Sequence, residues 1–286
     1  MKQKMLIAVS ALFLLCAVSI TIYPIIANHV NDKYQSEIQT NYEQNVEILD
    51  DSAIQTARKA AQVYNESLGT VRFEKEDLAS ASYSYDELLN LTGSGIMGII
   101  EIPKIGISLP IYHGTAEDVL QCGVGHLLGS SLPIGGAGCH SVLTGHSGVA
   151  GARLFSDLDQ LMPGDTFFLH VLGETLAYEV TEINAVLPYE TDLLIAAPGE
   201  DLCTLVTCTP YGVNSHRLLV RGLRVPNEDV AESVPEMIEE PSRSTWKEKY
   251  LQSLAIGGSV ALGIVLNGIF LITLIKKQKR RHRNEN

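Results

Sequence analysis

Cys208, His146 and Arg217 are the side chains whose types and spacing could carry a reaction. Cys208 and Arg217 lie nine residues apart in the stretch TLVTCTPYGVNSHRLLVRG, residues 204–222. His146 follows Thr144 and Gly145, about 60 residues upstream of the cysteine. A thiol attacks a carbonyl as its thiolate, and a free cysteine has a pKa of about 8.5 that a neighbouring His⁺ or Arg⁺ lowers. An arginine beside the reacting carbonyl can also donate hydrogen bonds to the developing oxyanion, and losing one such donor costs about 3–4 kcal/mol. The three types together suit acyl transfer through a thioester. Two other uses of these residues stay open at this point. A buried cysteine is often an inert small apolar residue. Cys139, His140, His146, Cys203, Cys208 and His216 could also be combined into a zinc site, although their spacings do not match those of structural zinc.

These residues must be positioned by strands. Residues 204–208 alternate apolar and polar, Pro210, Gly212 and Asn214 are turn formers, and alternation resumes at His216. In a strand Thr204, Val206 and Cys208 face one side while Cys203, Leu205 and Thr207 face the other, so Cys203 and Cys208 point apart. Arg221 has the same parity as Arg217 and is expected to be a solvated or ion-paired strand residue. His146 ends an apolar run, Ser141-Val142-Leu143, in which His140 should share the face of Val142 and Thr144. Short apolar runs at 97–103, 107–112, 123–128, 140–144, 165–171, 175–186, 203–209 and 216–225, punctuated by Gly and Pro, predict a mainly β domain closed or nearly closed into a barrel. Residues 154–158 read as a short helix. His113, His126, His170 and His216 read as structural or exposed.

Upstream of the strands, Val30, Tyr34, Ile38, Tyr42, Val46 and Leu49 recur at spacings of four and three, one face of an amphipathic helix. Asp50-Asp51-Ser52 interrupts it and can cap a second helix carrying Ile54, Ala57, Ala61 and Tyr64. Residues 68–95 lose the pattern and read as a long loop.

Two apolar stretches, residues 5–27 and about 254–275, each have the roughly 20 residues that span a bilayer. Lys2 and Lys4 precede the first, and six Lys and Arg follow the second, so both ends are expected on the cytoplasmic side with residues 28 to about 250 outside. A cleaved signal is the other reading of the first stretch. Without the eight terminal Lys and Arg and Glu285, 13 basic residues face 32 acidic ones. That excess excludes nucleic acid as a partner. The expected organisation is an anchor or signal over 1–28, a helical arm and possible lid over 29–95, a barrel over 96–226, an acidic Pro-containing linker over 227–250, a membrane helix over 251–275 and a basic tail over 276–286. Of the five cysteines, Cys122 and Cys139 are the pair that could bridge outside a cell.

The stretch TLVTC with its arginine nine residues on, and TGH upstream, resembles the sortases, and within them the class C, pilin-polymerising sortases. GIIEIP (98–103), LPIYHG (109–114), GVGHL (123–127), SLPIG (131–135) and LFSDL (154–158) match as well. The resemblance covers about residues 95–225 and, more loosely, the two-span layout. It implies an eight-stranded β-barrel, with Cys208 as nucleophile, His146 as catalytic histidine and Arg217 as the transition-state arginine, and no cofactor or metal. It implies a membrane-held enzyme of a Gram-positive cell surface. That enzyme cleaves an LPXTG-like sorting signal of a pilin or surface protein between Thr and Gly and passes the acyl group to an amine, in pilus assembly a pilin lysine. Attachment of proteins to a cell-wall precursor is the alternative within the family, and a non-enzymatic scaffold the alternative outside it. The sequence departs from the class C pattern in one place. Those enzymes usually carry an Asp-Pro-aromatic lid over the cysteine, and residues 68–91 contain no proline.

Overall fold

A computed structural model describes residues 2–68, 84–149 and 151–227, with six further positions between 248 and 259. The chain divides into two compact units, Met1–Arg243 and Ser244–Asn286. The expected linker over 227–250, the second apolar stretch and the basic tail lie wholly or almost wholly outside the described residues.

Eight strands form a closed barrel: β1 (Ile96–Ile102), β2 (Ile107–His113), β3 (Val124–His126), β4 (Cys139–Thr144), β5 (Thr166–Val171), β6 (Glu174–Val186), β7 (Asp201–Thr209) and β8 (His216–Val225). Their order around the barrel is β1-β2-β3-β4-β7-β8-β6-β5, with β5 returning to β1. Closure leaves no unpaired strand edge to satisfy. The β2–β3 and β4–β7 pairs are parallel and the other pairs antiparallel. The first parallel link is made by α3 (Glu117–Cys122) and the second by the β5–β6 excursion.

Alternation sorts the strand residues. Ile100, Ile102, Leu143, Leu169, Leu205 and Val220 are fully buried in the main core with Phe167 and Tyr178, whose rings stack 5.5 Å apart. Gly222 on β8 is required there: a Cβ would stand 2.6 Å from Phe167 Cε1 and 2.9 Å from Tyr178 Cβ. Both neighbours are pinned inside the barrel. Gly222→Ala is therefore expected to destabilise the domain by about 1–3 kcal/mol, the cost of overpacking a filled core. Urea unfolding followed by tryptophan-independent circular dichroism would measure it.

Two helices cover the barrel. α1 (Lys2–Glu47) contains Pro24, and α2 (Asp51–Leu68) places Ala61 and Tyr64 against the main core, with Ile54 and Ala57 beside them. The buried stripe of α1 differs from the expected one. Asn28, Gln35, Tyr42 and Val46 are buried, while Val30 and Tyr34 are 60% and 57% exposed. Repeated spacings of four drift about 40° per step at 3.6 residues per turn, so Val30 and Val46 lie about 160° apart and cannot share one face. The amide nitrogens of the stripe are partnered, Gln35 Nε2 donating to the Cys122 carbonyl at 2.5 Å and Asn28 Nδ2 to the Pro24 carbonyl at 2.7 Å, while Asn28 Oδ1 and Gln35 Oε1 are buried without a partner. Tyr42 donates to the Met97 carbonyl and accepts from the Leu172 amide. Among the described residues, no helix is long and apolar enough to cross a membrane.

One further expectation, the short helix at 154–158, is corrected. Residues 84–95, read as part of a long loop, are turns and bends beyond one 3-10 turn, Tyr85–Glu87, and they are docked through buried Leu88 and Leu89. Their apolar side chains are too few to show periodicity. Residues 154–158 form turns ahead of a 3-10 helix, Leu158–Gln160, because Leu154 has φ +41°, outside the right-handed helix region. Residues 69–83 lie outside the described part.

Candidate active site

Cys208 is the last but one residue of β7 and Arg217 the second of β8, and the two are register partners. Directly opposed residues of an antiparallel pair put their side chains on the same face. That face is the outer one. Cys203 and Leu205 are fully buried in the main core, whereas Val206 joins Val142, Leu194 and Leu219 in a separate outer cluster. Cys208 is therefore half-buried on the outer wall, and Cys203 points inward. Burial, with Asp201 second, pushes the Cys203 thiol far up, which keeps it inert. The turn between the strands is held by the Val213 and Asn214 amides donating to the Pro210 carbonyl, both at 3.0 Å. Gly212 and Asn214 take the positive φ it needs, +75° and +59°. Arg217 Nη1 donates to the carbonyls of Asn214 and His216 at the base of this turn.

His146 reaches the same level from the neighbouring strand. β4 runs parallel to β7 with Thr144 beside Val206, and the Gly145 amide continues the ladder by donating to the Val206 carbonyl at 3.0 Å. Thr207 Oγ1 donates back to the Gly145 carbonyl at 2.7 Å. Two residues beyond Thr144 on one strand matches two beyond Val206 on the other, so His146 stands at the register of Cys208. The His146 carbonyl accepts from the Phe155 amide at 3.0 Å. A Cβ at position 145 would meet the Phe155 ring at 2.8 Å, which explains glycine before the histidine.

The other histidines and cysteines take other places. His126 Nε2 faces the Ser131 carbonyl at 2.9 Å and must donate, so Nδ1 accepts from the Tyr85 hydroxyl at 2.8 Å. His140 Nδ1 donates to the Ile195 carbonyl and Nε2 accepts from Thr204 Oγ1 at 2.7 Å. Burial lowers each of them to about 4. Unfolded, they titrate near 6.5; the unfolded chain therefore binds protons that the folded one refuses between these values. Stability is complete above about pH 6.5 and is lost as pH falls toward 4. Thermal unfolding midpoints are expected to fall steadily across that window, and a flat profile would contradict the burial of these rings. Arg221 is tied to Glu182 at 3.2 Å and to the Leu193 carbonyl at 2.6 Å, the ion-paired strand residue expected of it. Cys122 and Cys139 are free thiols, so the possible bridge between them is not formed.

A family profile for the sortase domain matches residues 100–225. Sortase C1 of Streptococcus agalactiae is 45% identical and superposes with a TM-score of 0.62 over 67% of this chain and 99% of that one. The chain belongs to the sortase family. Sortase C of Clostridium perfringens, solved with a C-terminal cell wall sorting motif, is 40% identical, with a TM-score of 0.58 over 67% of this chain and 99% of that one. Among curated sortases, sortase A of Streptococcus agalactiae is 28% identical over 48% of this chain, which spans 61% of that relative. The structural neighbours are class C sortases, and the family are cysteine transpeptidases.

Sequence reasoning about this sortase missed Glu117. Its Oε1 lies 3.4 Å from His146 Nε2. Nothing in a separation of 29 residues announces the contact, which the β2–β3 connection creates. Tyr85, which the sequence offered only as part of a run that could stand in for the lid motif, has a structural place. Its hydroxyl also accepts from the Gly114 amide at 3.0 Å, and it ties residues 84–95 to β2 and β3.

Proposed function

We propose that this sortase polymerises pilins. Cys208 attacks the carbonyl carbon of the threonine in an LPXTG-like sorting signal, His146 supplies the proton to the departing glycine amine, and Arg217 donates to the oxyanion. The thioester is resolved by the ε-amine of a lysine on another pilin, which leaves an isopeptide bond. The observation that carries this reading is that Cys208 and Arg217 are cross-strand partners, while β4, paired in parallel with β7 as far as Thr144 and Val206, leads into His146 on the adjacent side. Neighbouring strands lie about 4.8 Å apart, which is the scale of a single peptide group. A carbonyl laid over Cys208 would have a proton carrier on one side and a cationic donor on the other.

The apolar stretches at residues 5–27 and 254–275 suit a cell-surface enzyme held at the membrane, with its barrel on the outer side and both termini inside. The class C neighbours support pilin substrates over a cell-wall precursor, while the more distant sortase A relative keeps the precursor as the alternative acceptor. Incubating the full chain with pilins that carry LPXTG-like signals would decide. Detergent-resistant pilin multimers joined by Thr–Lys isopeptide bonds, identified by mass spectrometry, are expected. Transfer only to a small peptidoglycan-type amine, with no multimers, would favour the alternative.

A further inference from the structure

Glu117 is the first residue of α3, and its carboxylate meets the imidazole of His146, Oε1 to Nε2, at 3.4 Å. The same oxygen accepts from Gln121 Nε2 at 3.2 Å, one helical turn along, which restrains the side chain. The topology makes this contact orderly. β4, which ends at Thr144 two residues before His146, lies between β3 and β7 in the barrel. α3 feeds into β3 on one side, and β7 carries Cys208 on the other. His146 therefore has a carboxylate on its β3 side and a thiol on its β7 side, and Arg217 stands one strand further. Along this row stand a carboxylate, an imidazole, a thiol and a guanidinium.

We propose that Glu117 is a positioning residue for His146: its carboxylate keeps a proton on Nε2 and leaves Nδ1 to exchange the proton that moves in acyl transfer. This rests on the reading of Cys208 and His146 given above. In the first half-reaction Cys208 passes its thiol proton to Nδ1, the thiolate so formed makes a C–S bond to the threonine carbonyl carbon, the C–N bond to glycine breaks, and the leaving nitrogen takes that proton from Nδ1. The N–H electron pair stays on the ring. In the second, the incoming lysine nitrogen forms the new C–N bond, returns a proton to Nδ1, and the C–S pair goes back to sulfur. The Nε2 proton is not used in either half. A carboxylate 3.4 Å from one ring nitrogen favours the proton there by its charge and leaves the far ring nitrogen as base.

The effect has a definite scale. The Glu117 side chain is 73% exposed. An ion pair so open to water contributes little, so replacing the carboxylate should slow turnover by about two- to fivefold. The test compares the full-length chain with Glu117→Gln, Glu117→Asp and Gln121→Ala, using a sorting-signal peptide and an amine acceptor. Glu117→Gln should lower kcat two- to fivefold with KM unchanged within about twofold. Glu117→Asp should recover part of the loss and Gln121→Ala should lose less than Glu117→Gln. The gap between wild type and Glu117→Gln should close as salt rises from about 0.01 to 1 M, where the Debye length shrinks from about 30 to 3 Å. ¹⁵N shifts of the His146 ring should report the Nε2–H tautomer in the wild type and a mixture in Glu117→Gln. A kcat unaffected by Glu117→Gln at low salt, or an Nδ1–H tautomer in the wild type, would overturn the proposal. Activity retained by Cys208→Ala would instead overturn the reading of the reaction, whatever the Glu117 variants do.

Discussion

Cys208→Ala is expected to abolish transpeptidation completely while the barrel still folds. The thiol is half-buried on the outer wall at the end of β7, and neither the main core nor the outer cluster packs through it. Removing one sulfur there opens no cavity in the barrel. It deletes the atom on which the acyl group must rest, and no neighbouring cysteine can replace it. Cys203 is fully buried on the opposite face of the same strand, and burial holds its thiol protonated. Cys122 and Cys139 lie on other elements, α3 and the start of β4. Intact-mass analysis after mixing with a sorting-signal peptide should show one acyl adduct on the wild type and none on Cys208→Ala, with superimposable circular dichroism. An adduct surviving in the variant would displace the nucleophile from Cys208. Cys203→Ala, by contrast, should keep the adduct and lose stability through a small core cavity.

Arg217→Ala is expected to lower kcat by about 10²–10³, the loss typical of one oxyanion donor. The register argument makes this specific. Arg217 is opposite Cys208, and its Nη1 is anchored on the Asn214 and His216 carbonyls, which fixes where the rest of the fork can point. Arg217→Lys should recover little, because a single ammonium on a flexible stem does not reproduce a planar fork. Arg221→Ala is the internal control. It shares the strand face, but its guanidinium is committed to Glu182 and the Leu193 carbonyl, so its loss should act on stability and leave kcat within a few-fold. Single-turnover acylation rates would separate the two arginines. Equal losses in both would mean that the face is cationic without a dedicated donor.

Much of this was legible in order along the chain. Short apolar runs bounded by Gly and Pro located all eight strands to within a few residues, because strands such as β1, β4 and β7 are buried along most of their length. Strand parity separated Cys208 from Cys203 and put Arg217 and Arg221 on one face. The spacing of TLVTC to its arginine located the hairpin that makes those two residues cross-strand partners. A two-strand hairpin is a local structure, and local structure is written in consecutive residues.

What the chain could not disclose depended on contacts between distant segments. The stripe of α1 that faces the barrel runs through Asn28 and Gln35, and the Gln35 amide finds its partner, the Cys122 carbonyl, only once the helix is docked, so hydrophobic spacing pointed to Val30 and Tyr34 instead. Residues 84–95 hold to the barrel through one tyrosine hydroxyl and a buried histidine 41 residues away. Glu117 reaches His146 because a parallel β2–β3 link needs a connection, and that connection crosses the end of β4. The sequence by itself determined the barrel, its hairpins and the identities of Cys208, His146 and Arg217 as candidates, since periodicity and spacing are properties of neighbours along the chain. Only the tertiary structure decided which face is outer, that β4 with its following histidine lies beside β7, and that a carboxylate stands 3.4 Å from that histidine, because strand order around a closed barrel is set by long-range pairing.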